Sequence, residues 1–362
     1  MKERIAVFGL GNLFKYSLRM LAEKYEIVAL VDNCTKVLEE HPKEKVCTPD
    51  ELQKKDIEHV VITVIDLDIV EDIKQQLIRC GVEANIISLF EIDTPIVSGE
   101  FFDIVEISGY KKRFLLTLNR DEPQNFISDL ARKGIIVMDP WLQMVFPNPG
   151  TFLDIGANIG VFSLSFAANG WKGYSFEASS KNVDALRNSV ALNRFDIEIV
   201  DKAVHNKTGD LLFAQNGPWG VVHNDRDANL KYETVSCTTL DDWMLSLGFA
   251  PKIDLIKMDI EGSEVAALQG MQKMLEATKF PPIFIEVNDS ALRMQGETAG
   301  TLISIIHMMG YKTYEWKNGC MCLVDESCAS NTQLNDFLLL QDSHPIVKEL
   351  CGSSSSSIAM KN

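Results

Sequence analysis

Thr151-Phe152-Leu153-Asp154-Ile155-Gly156-Ala157-Asn158-Ile159-Gly160 is a short apolar run that closes on an acid and a glycine-rich turn, directly before the helical pattern Phe162 to Ala168. Glycines at a strand-to-helix turn let the backbone approach a ligand closely, and the helix N-terminus presents unpaired N–H groups. Gly156, Ala157, Asn158 and Gly160 are therefore read as a cofactor turn. The spacing Gly156-x-Asn158-x-Gly160 is not the dinucleotide G-x-G-x-x-G, and Asp154 ends the strand itself. A carboxylate there repels a pyrophosphate but accepts hydrogen bonds from an ammonium group. That favours the methionine end of S-adenosylmethionine (SAM) over NAD.

Working outward, the next strand, Tyr174 to Phe176, ends at Glu177, which lies 23 residues beyond Asp154. This is near the ~20-residue offset at which an acid binds ribose hydroxyls in wound α/β sheets. Two acids at successive strand ends make a nucleoside site. Further on, Ile253 to Met258 closes in Lys257-Met258-Asp259-Ile260-Glu261-Gly262. Alternation puts Lys257, Asp259 and, if the strand continues, Glu261 on one side. Charges at the carboxyl end of a buried strand form either a mutually satisfied ion cluster or a base and substrate clamp in the ligand crevice. Glu286, Asn288 and Asp289 end the neighbouring strand Ile283 to Val287 and are placed at the same crevice.

The strand series 151–155, 174–176, 197–200, 253–258, 283–287 and 311–316, with helical patterns between most of them, defines an α/β domain over 150–342. Residues 205–240 are polar and read as a hairpin insertion or loop over the sheet edge. A smaller α/β unit occupies 1–95, with strands at Ile5 to Phe8, Ile27 to Val31, Val60 to Ile65 and Asn85 to Leu89. Thr48-Pro49-Asp50-Glu51 is a capping box that starts a helix, and Ile69, Ile73 and Leu77 mark one face of another. Gly9-Leu10-Gly11-Asn12-Leu13-Phe14, with Asp32 at the end of the next strand, is half of a dinucleotide fingerprint. Phe14 stands where the third glycine belongs, so an empty or regulatory unit is preferred to a working nucleotide site. Residues 96–149 are assigned to a connecting segment ending in Pro147-Asn148-Pro149-Gly150, and 343–362, with five consecutive serines, to a disordered tail.

Thirty-five Lys and Arg against 51 Asp and Glu give a formal charge of -16, which disfavours nucleic acid and anionic membranes. No apolar run reaches the roughly 18 residues that a membrane span needs. The eight cysteines lack the paired spacing of a zinc site or a disulfide scaffold, so a reducing cytoplasm is expected. The six histidines show no ligand spacing and are read as surface or satisfied core residues, with the substrate mouth as the alternative place for His223, near Trp219-Gly220. The oligomeric state is left open.

At this point the sequence resembles the FkbM-type SAM-dependent methyltransferases, over roughly 145–342. DIGANIG (154–160) looks like their SAM turn, YSFEA (174–178) like the ribose-binding strand end, and VDKAV (200–204) like the segment beside the adenine. CTTLDDW (237–243), KIDLIKMDIEGSEVAALQG (252–270) and FIEV (284–287) follow in the family's order. Ala178 departs from the proline often found after the ribose acid.

The resemblance implies a Rossmann-like class I methyltransferase sheet, mostly parallel with an antiparallel edge strand, behind a smaller Rossmann-like domain. That first unit resembles those attached to sugar-modifying transferases. It implies SAM as cofactor, bound by Asp154, Gly156, Ala157, Asn158, Gly160, Glu177, Asp201 and Ala203. Asp259 and Glu261, with Lys257, become the catalytic candidates, and a sugar, glycan or related small-molecule hydroxyl the acceptor. No metal is expected, although Asp259, Glu261, Glu286 and Asn288 are oxygen ligands of the hardness that Mg2+ takes. The alternatives are an NAD(P)-linked oxidoreductase using the N-terminal unit, and a non-catalytic SAM- or nucleotide-binding protein.

Overall fold

A computed structural model describes residues 2–11, 14, 17–18, 21–22, 24–39, 41–43, 45–64, 67–89, 96–98, 102–119, 131, 141–216, 219–223, 232–317 and 319–347. Asn12, Leu13, Pro140 and the serine-rich tail lie outside them, as do the side chains of Trp219 and His223.

The first sheet comprises β1 (Arg4–Phe8), β2 (Glu26–Val31), β3 (Val46–Cys47), β4 (His59–Ile62) and β5 (Asn85–Ser88), all parallel in the order β3-β2-β1-β4-β5. Helix α1 (Leu67–Arg79) leads into β5. Its buried stripe is Val70, Ile73 and Leu77, whereas Ile69, expected on that face, is 47% exposed. Steps of three and four keep a stripe closer to the 3.6 period than two steps of four do. The capping box at Thr48 forms, but it opens a 3-10 turn, Pro49–Lys54. Both oxygens of Asp32 are committed to backbone, Oδ2 accepting from Leu10 N and Oδ1 from Cys34 N, each at 2.8 Å. Phe14 is packed into the core.

Residues 96–119, assigned above to a connector, hold an antiparallel sheet of β6 (Ile96–Ser98), β7 (Phe102–Ser108) and β8 (Arg113–Asn119). Its apolar residues are not confined to alternate positions because both faces are covered. Ile104 and Leu115 pack with Ile5, Val7 and Leu89 of the first unit. Val105, Phe114, Leu116 and Leu118 pack with Ile159, Leu164, Ala168 and Ala185. The last three belong to α2 (Val161–Ala168) and α3 (Ser180–Asn193). Asn193 acts as a surrogate strand for β8: Leu115 N donates to its Oδ1 at 2.9 Å, and its Nδ2 donates to Leu115 O at 2.7 Å.

The large sheet begins with β9 (Thr151–Ile155), β10 (Lys172–Glu177) and β11 (Ile197–Asp201). The chain then leaves it for a separate sheet of β12 (Ala203–Val204), β13 (Gly209–Asn216), β14 (Trp219–His223) and β15 (Tyr232–Thr238), ordered β12-β15-β13-β14. This is the polar insertion anticipated from the sequence. The large sheet resumes with β16 (Leu255–Met258), β17 (Ile283–Asn288), β18 (Tyr311–Lys317), β19 (Cys320–Leu323) and β20 (Leu334–Gln341), in the order β11-β10-β9-β16-β17-β20-β18-β19.

One antiparallel strand sits at the edge, as anticipated: β19, paired to β18. A second, β20, lies inside, antiparallel to both β17 and β18. Phe337 to Leu340 are all buried, so β20 has no polar side to show water and takes a central place, while β19 exposes Leu323. β9 and β16 are neighbours from which the strand order runs outward in opposite directions, and wound sheets bind ligands outside the carboxyl ends of such a pair. Among the described residues, no helix is long and apolar enough to cross a membrane.

Replacing Asn193 with alanine strands a buried N–H and C=O of β8. We expect a loss of about 1–3 kcal/mol in urea unfolding; an unchanged midpoint and slope would show that β8 does not depend on this contact.

Candidate active site

Lys257 on β16 is 9% exposed and reaches across to β9. Its Nζ donates to Gly156 O at 2.7 Å and lies 3.5 Å from Asp154 Oδ1 and 3.3 Å from Asp259 Oδ2. Burial works against the ammonium, yet the charges of Asp259 and Asp154 outweigh it, holding the pKa above the ordinary lysine value. Asp154 is wholly enclosed. Its Oδ2 accepts from Ser163 Oγ at 2.5 Å, and that hydroxyl also meets Ser175 Oγ at 2.7 Å. Oδ1 makes no hydrogen bond and faces Lys257. Burial raises the Asp154 carboxyl, with Lys257 and Ser163 pulling the other way. In this arrangement Asp154 holds the turn from beneath, through protein groups.

The turn is fitted to its neighbours at backbone level. A Cβ on Gly156 (φ +81) would stand 2.0 Å from Asp259 O, and one on Gly160 (φ +95) 2.3 Å from Leu186 Cδ1. Asn158 also takes a positive φ, which its short polar side chain tolerates. Gly156 N and Ala157 N both donate to Phe176 O, tying the turn to β10. Glu177, at the end of β10, accepts from Asn158 N at 2.7 Å and from Ser179 N at 2.8 Å. Burial raises its carboxyl, opposed by those two backbone bonds. Asp201 pairs with Glu177 in the β10–β11 register; it is exposed and 3.5 Å from Arg187 Nη2. Ala203 follows at the start of β12, buried against Cys237 and Val235. The expected cofactor residues thus lie at the ends of three adjacent strands, β9, β10 and β11, and at the start of β12.

Beyond Met258 the strand stops, so Glu261 does not reach the crevice by continued alternation. Two successive left-handed residues, Glu261 (φ +50) and Gly262 (φ +99), turn the chain into α4 (Glu264–Gln269). Gly262 has no room for a side chain, because a Cβ would stand 2.3 Å from Ala291 O. Carboxylate oxygens of Asp259, Glu261 and Glu286 then lie within 4.8 Å of one another. The ladder sets Met258 beside Ile285 and Glu286 opposite Asp336. Burial first, and then the charge of Asp259, pushes Glu261 up to about 7. Burial with Asp259, Glu261 and Asp336 pushes Glu286 up to about 8.

Asn288 caps α5 (Asp289–Met294) and sets its Nδ2 3.4 Å from Glu261 Oε2. Asp289, placed at the crevice by its sequence position, instead accepts from Ala299 N at 2.8 Å and Arg293 Nε at 2.6 Å. Glu264 was not singled out from the sequence. It is buried, and its Oε1 accepts from Ile260 N at 3.1 Å and Gly262 N at 3.3 Å, so it shapes the loop that carries Asp259 and Glu261. An acid at a helix start, two residues beyond a glycine, was its available signal.

Residues 154–313 match the model of the methyltransferase FkbM domain, and residues 1–88 that of the C2185-like N-terminal domain. The larger match covers less than half of the chain and identifies residues 154–313 as similar to the FkbM methyltransferase domain. The match begins at Asp154, takes in the lysine-centred cluster and the carboxylate trio, and ends on β18. Over 192 residues, 51% of this chain and 74% of the relative, the chain is 26% identical to the hexuronic acid methyltransferase AglP of Haloferax volcanii. Among solved structures it is similar to a TehB-like SAM-dependent methyltransferase from Corynebacterium glutamicum, with 10% identity over 59% of this chain and 94% of that one, TM-score 0.34. It is also similar to the bifunctional kinase-methyltransferase WbdD, with 13% identity over 56% of this chain and 36% of that one, TM-score 0.33.

Two outcomes test this part of the methyltransferase. Lys257→Met leaves Asp154 buried without its cation and should cost about 3–5 kcal/mol in urea unfolding. Adding Asp154→Asn should return a large part of that loss, and a double variant no better than the single would separate the two residues. The second concerns pH. Glu261, Glu264 and Glu286 sit at about 7, 7 and 8 in the folded chain, above the roughly 4.3 of an unfolded glutamate. The folded state therefore binds more protons. This contribution is fully present below about pH 4 and is lost as pH rises through 7–8. Glu286→Gln should flatten the fall in Tm between pH 5.5 and 8.5; an unaltered slope would contradict the assignment.

Proposed function

We propose that this methyltransferase carries the methyl group of SAM to a hydroxyl of a sugar, a glycan or a related small molecule. The observation that supports this reading best is the carboxylate trio at the ends of β16 and β17, set against the glycine turn of β9. The residues present suit the cofactor. Gly156 and Gly160 let the turn pack against Asp259 and Leu186 where a side chain would not fit, and Glu177 and Asp201 offer acceptors at adjacent strand ends for a ribose diol. When bound, SAM supplies a sulfonium-activated methyl group.

The protein's part is then to hold the acceptor oxygen in line with that methyl and to take its proton as it attacks. A base works best with a pKa near the working pH, and Glu261, at about 7, meets this condition. Asp259 is paired with Lys257, and this fixes its carboxylate as an acceptor that orients the substrate hydroxyl. Asn288 steadies Glu261 from the opposite side. A hydroxyl acceptor suits the site better than a carboxylate, because a further anion would meet three carboxyl groups while Lys257 is already committed.

Incubation with SAM and a panel of neutral and uronate sugars should add one methyl mass unit to a neutral acceptor. Glu261→Gln should lower kcat by about 10²–10⁴ with little change in SAM affinity. The wild-type kcat/KM should rise with pH through about 7, a limb that the variant lacks. Methyl transfer by Glu261→Gln at the wild-type rate would remove Glu261 from this role. Calorimetric binding of NAD without SAM or S-adenosylhomocysteine would overturn the reading as a whole.

A further inference from the structure

The inner face of the inserted sheet carries a carboxylate that none of the steps above uses. Alternation along β15 puts Glu233 on the side of Val235 and Cys237, and the β13–β15 ladder sets it opposite Phe213. That side is apolar. Ala203, Leu211, Phe213, Val235 and Cys237 form one cluster, and Ala178, the residue after Glu177, packs against it. Glu233 Oε1 is buried there and, among the described residues, accepts no hydrogen bond. Burial pushes the Glu233 carboxyl up, Lys181 at the start of α3 pulls it down, and Asp201 pushes it up again. Ala178, which follows β10, and Ala203, which follows β11, pack in the same cluster, so this side of the inserted sheet faces the ends of those strands. A buried acceptor without a donor is disfavoured, and a fold that keeps one has a use for it.

We propose that Glu233 is a binding residue for the adenosine end of the cofactor, accepting a hydrogen bond from an N–H or O–H of the nucleoside. This rests on the SAM reading above. Adenosine offers three such donors, the two ribose hydroxyls and the adenine amino group. Glu177 already takes the backbone N–H groups of Asn158 and Ser179, so it shares the nucleoside's donors with Asp201 and Glu233. Glu233 arrives from a different sheet, across the Ala178 contact, and closes the nucleoside from the side of the insertion. Its charge also rejects a nucleoside that carries a phosphate on the ribose.

The test is calorimetric titration of the full chain with S-adenosylhomocysteine, for wild type, Glu233→Gln and Glu233→Ala. Glu233→Ala should bind about tenfold more weakly, with the kinetic effect falling on KM for SAM rather than on kcat. Glu233→Gln keeps a carbonyl acceptor and the fold, and should lose a smaller factor. Repeating the titrations with S-inosylhomocysteine and with 2′-deoxy-S-adenosylhomocysteine locates the donor, because the penalty should vanish for the analogue that lacks it. Wild-type binding with both variants unchanged within twofold would overturn the role of Glu233 alone. Failure of the wild type to bind S-adenosylhomocysteine would overturn the cofactor reading and this inference with it.

Discussion

An ammonium group buried beneath a parallel sheet stays charged only where anions and carbonyls replace its water. Lys257 meets that demand with Asp154, Asp259 and Gly156 O, drawn from two adjacent strands. The consequence spreads in both directions along the carboxyl edge. On the β9 side the lysine fixes the carbonyl of Gly156 and so the path of the turn, which the Phe176 carbonyl ties to β10. On the β16 side it holds Asp259 at the rim of the crevice. One buried cation thereby joins the glycine turn after β9 to the carboxylates after β16.

Around this fixed point the acids divide into two kinds. Asp154, Glu264 and Asp289 have oxygens turned inward onto backbone N–H or protein side chains, and they shape loops. Asp259, Glu261 and Glu286 keep oxygens gathered in the crevice, where burial and mutual repulsion favour the neutral form of the last two. The same residue type thus shapes a loop or stays open to the crevice according to whether the backbone has already claimed its lone pairs. Glu264 and Glu261, three residues apart, show the contrast within one turn.

The parts of this architecture that could be read from the sequence are those with local causes. Strand ends at Ile155, Glu177 and Met258, the glycine turn and the capping box at Thr48 each announce themselves within a few residues. Pairing between distant segments leaves no such trace. The ion pair of Lys257 with Asp154 joins positions 103 residues apart. The place of β20 inside the large sheet depends on which strands remain open after β17 and β18 have formed. The sheet over 96–119 was missed because burial on both faces removes the alternation that marks a strand. Glu233 carried no local signal, since an acid in a polar-looking insertion reads as solvated until the insertion proves to have an apolar side. Glu261 was placed at the crevice for a mistaken reason: a left-handed turn, and not a continuing strand, delivers it there.

The small antiparallel sheet between the two larger ones has one further implication. Its residues Ile104 and Leu115 belong to one core, while Val105, Phe114, Leu116 and Leu118 belong to another, so each face is a seam. A cut anywhere near this sheet uncovers an oily surface on whichever half keeps it and a matching bare patch on the other. The two nucleotide-type folds of this chain are therefore poor modules for separate inheritance or for grafting onto new partners. An exchange of either half has to carry residues 96–119 with it and supply a fresh counterpart for the face left open.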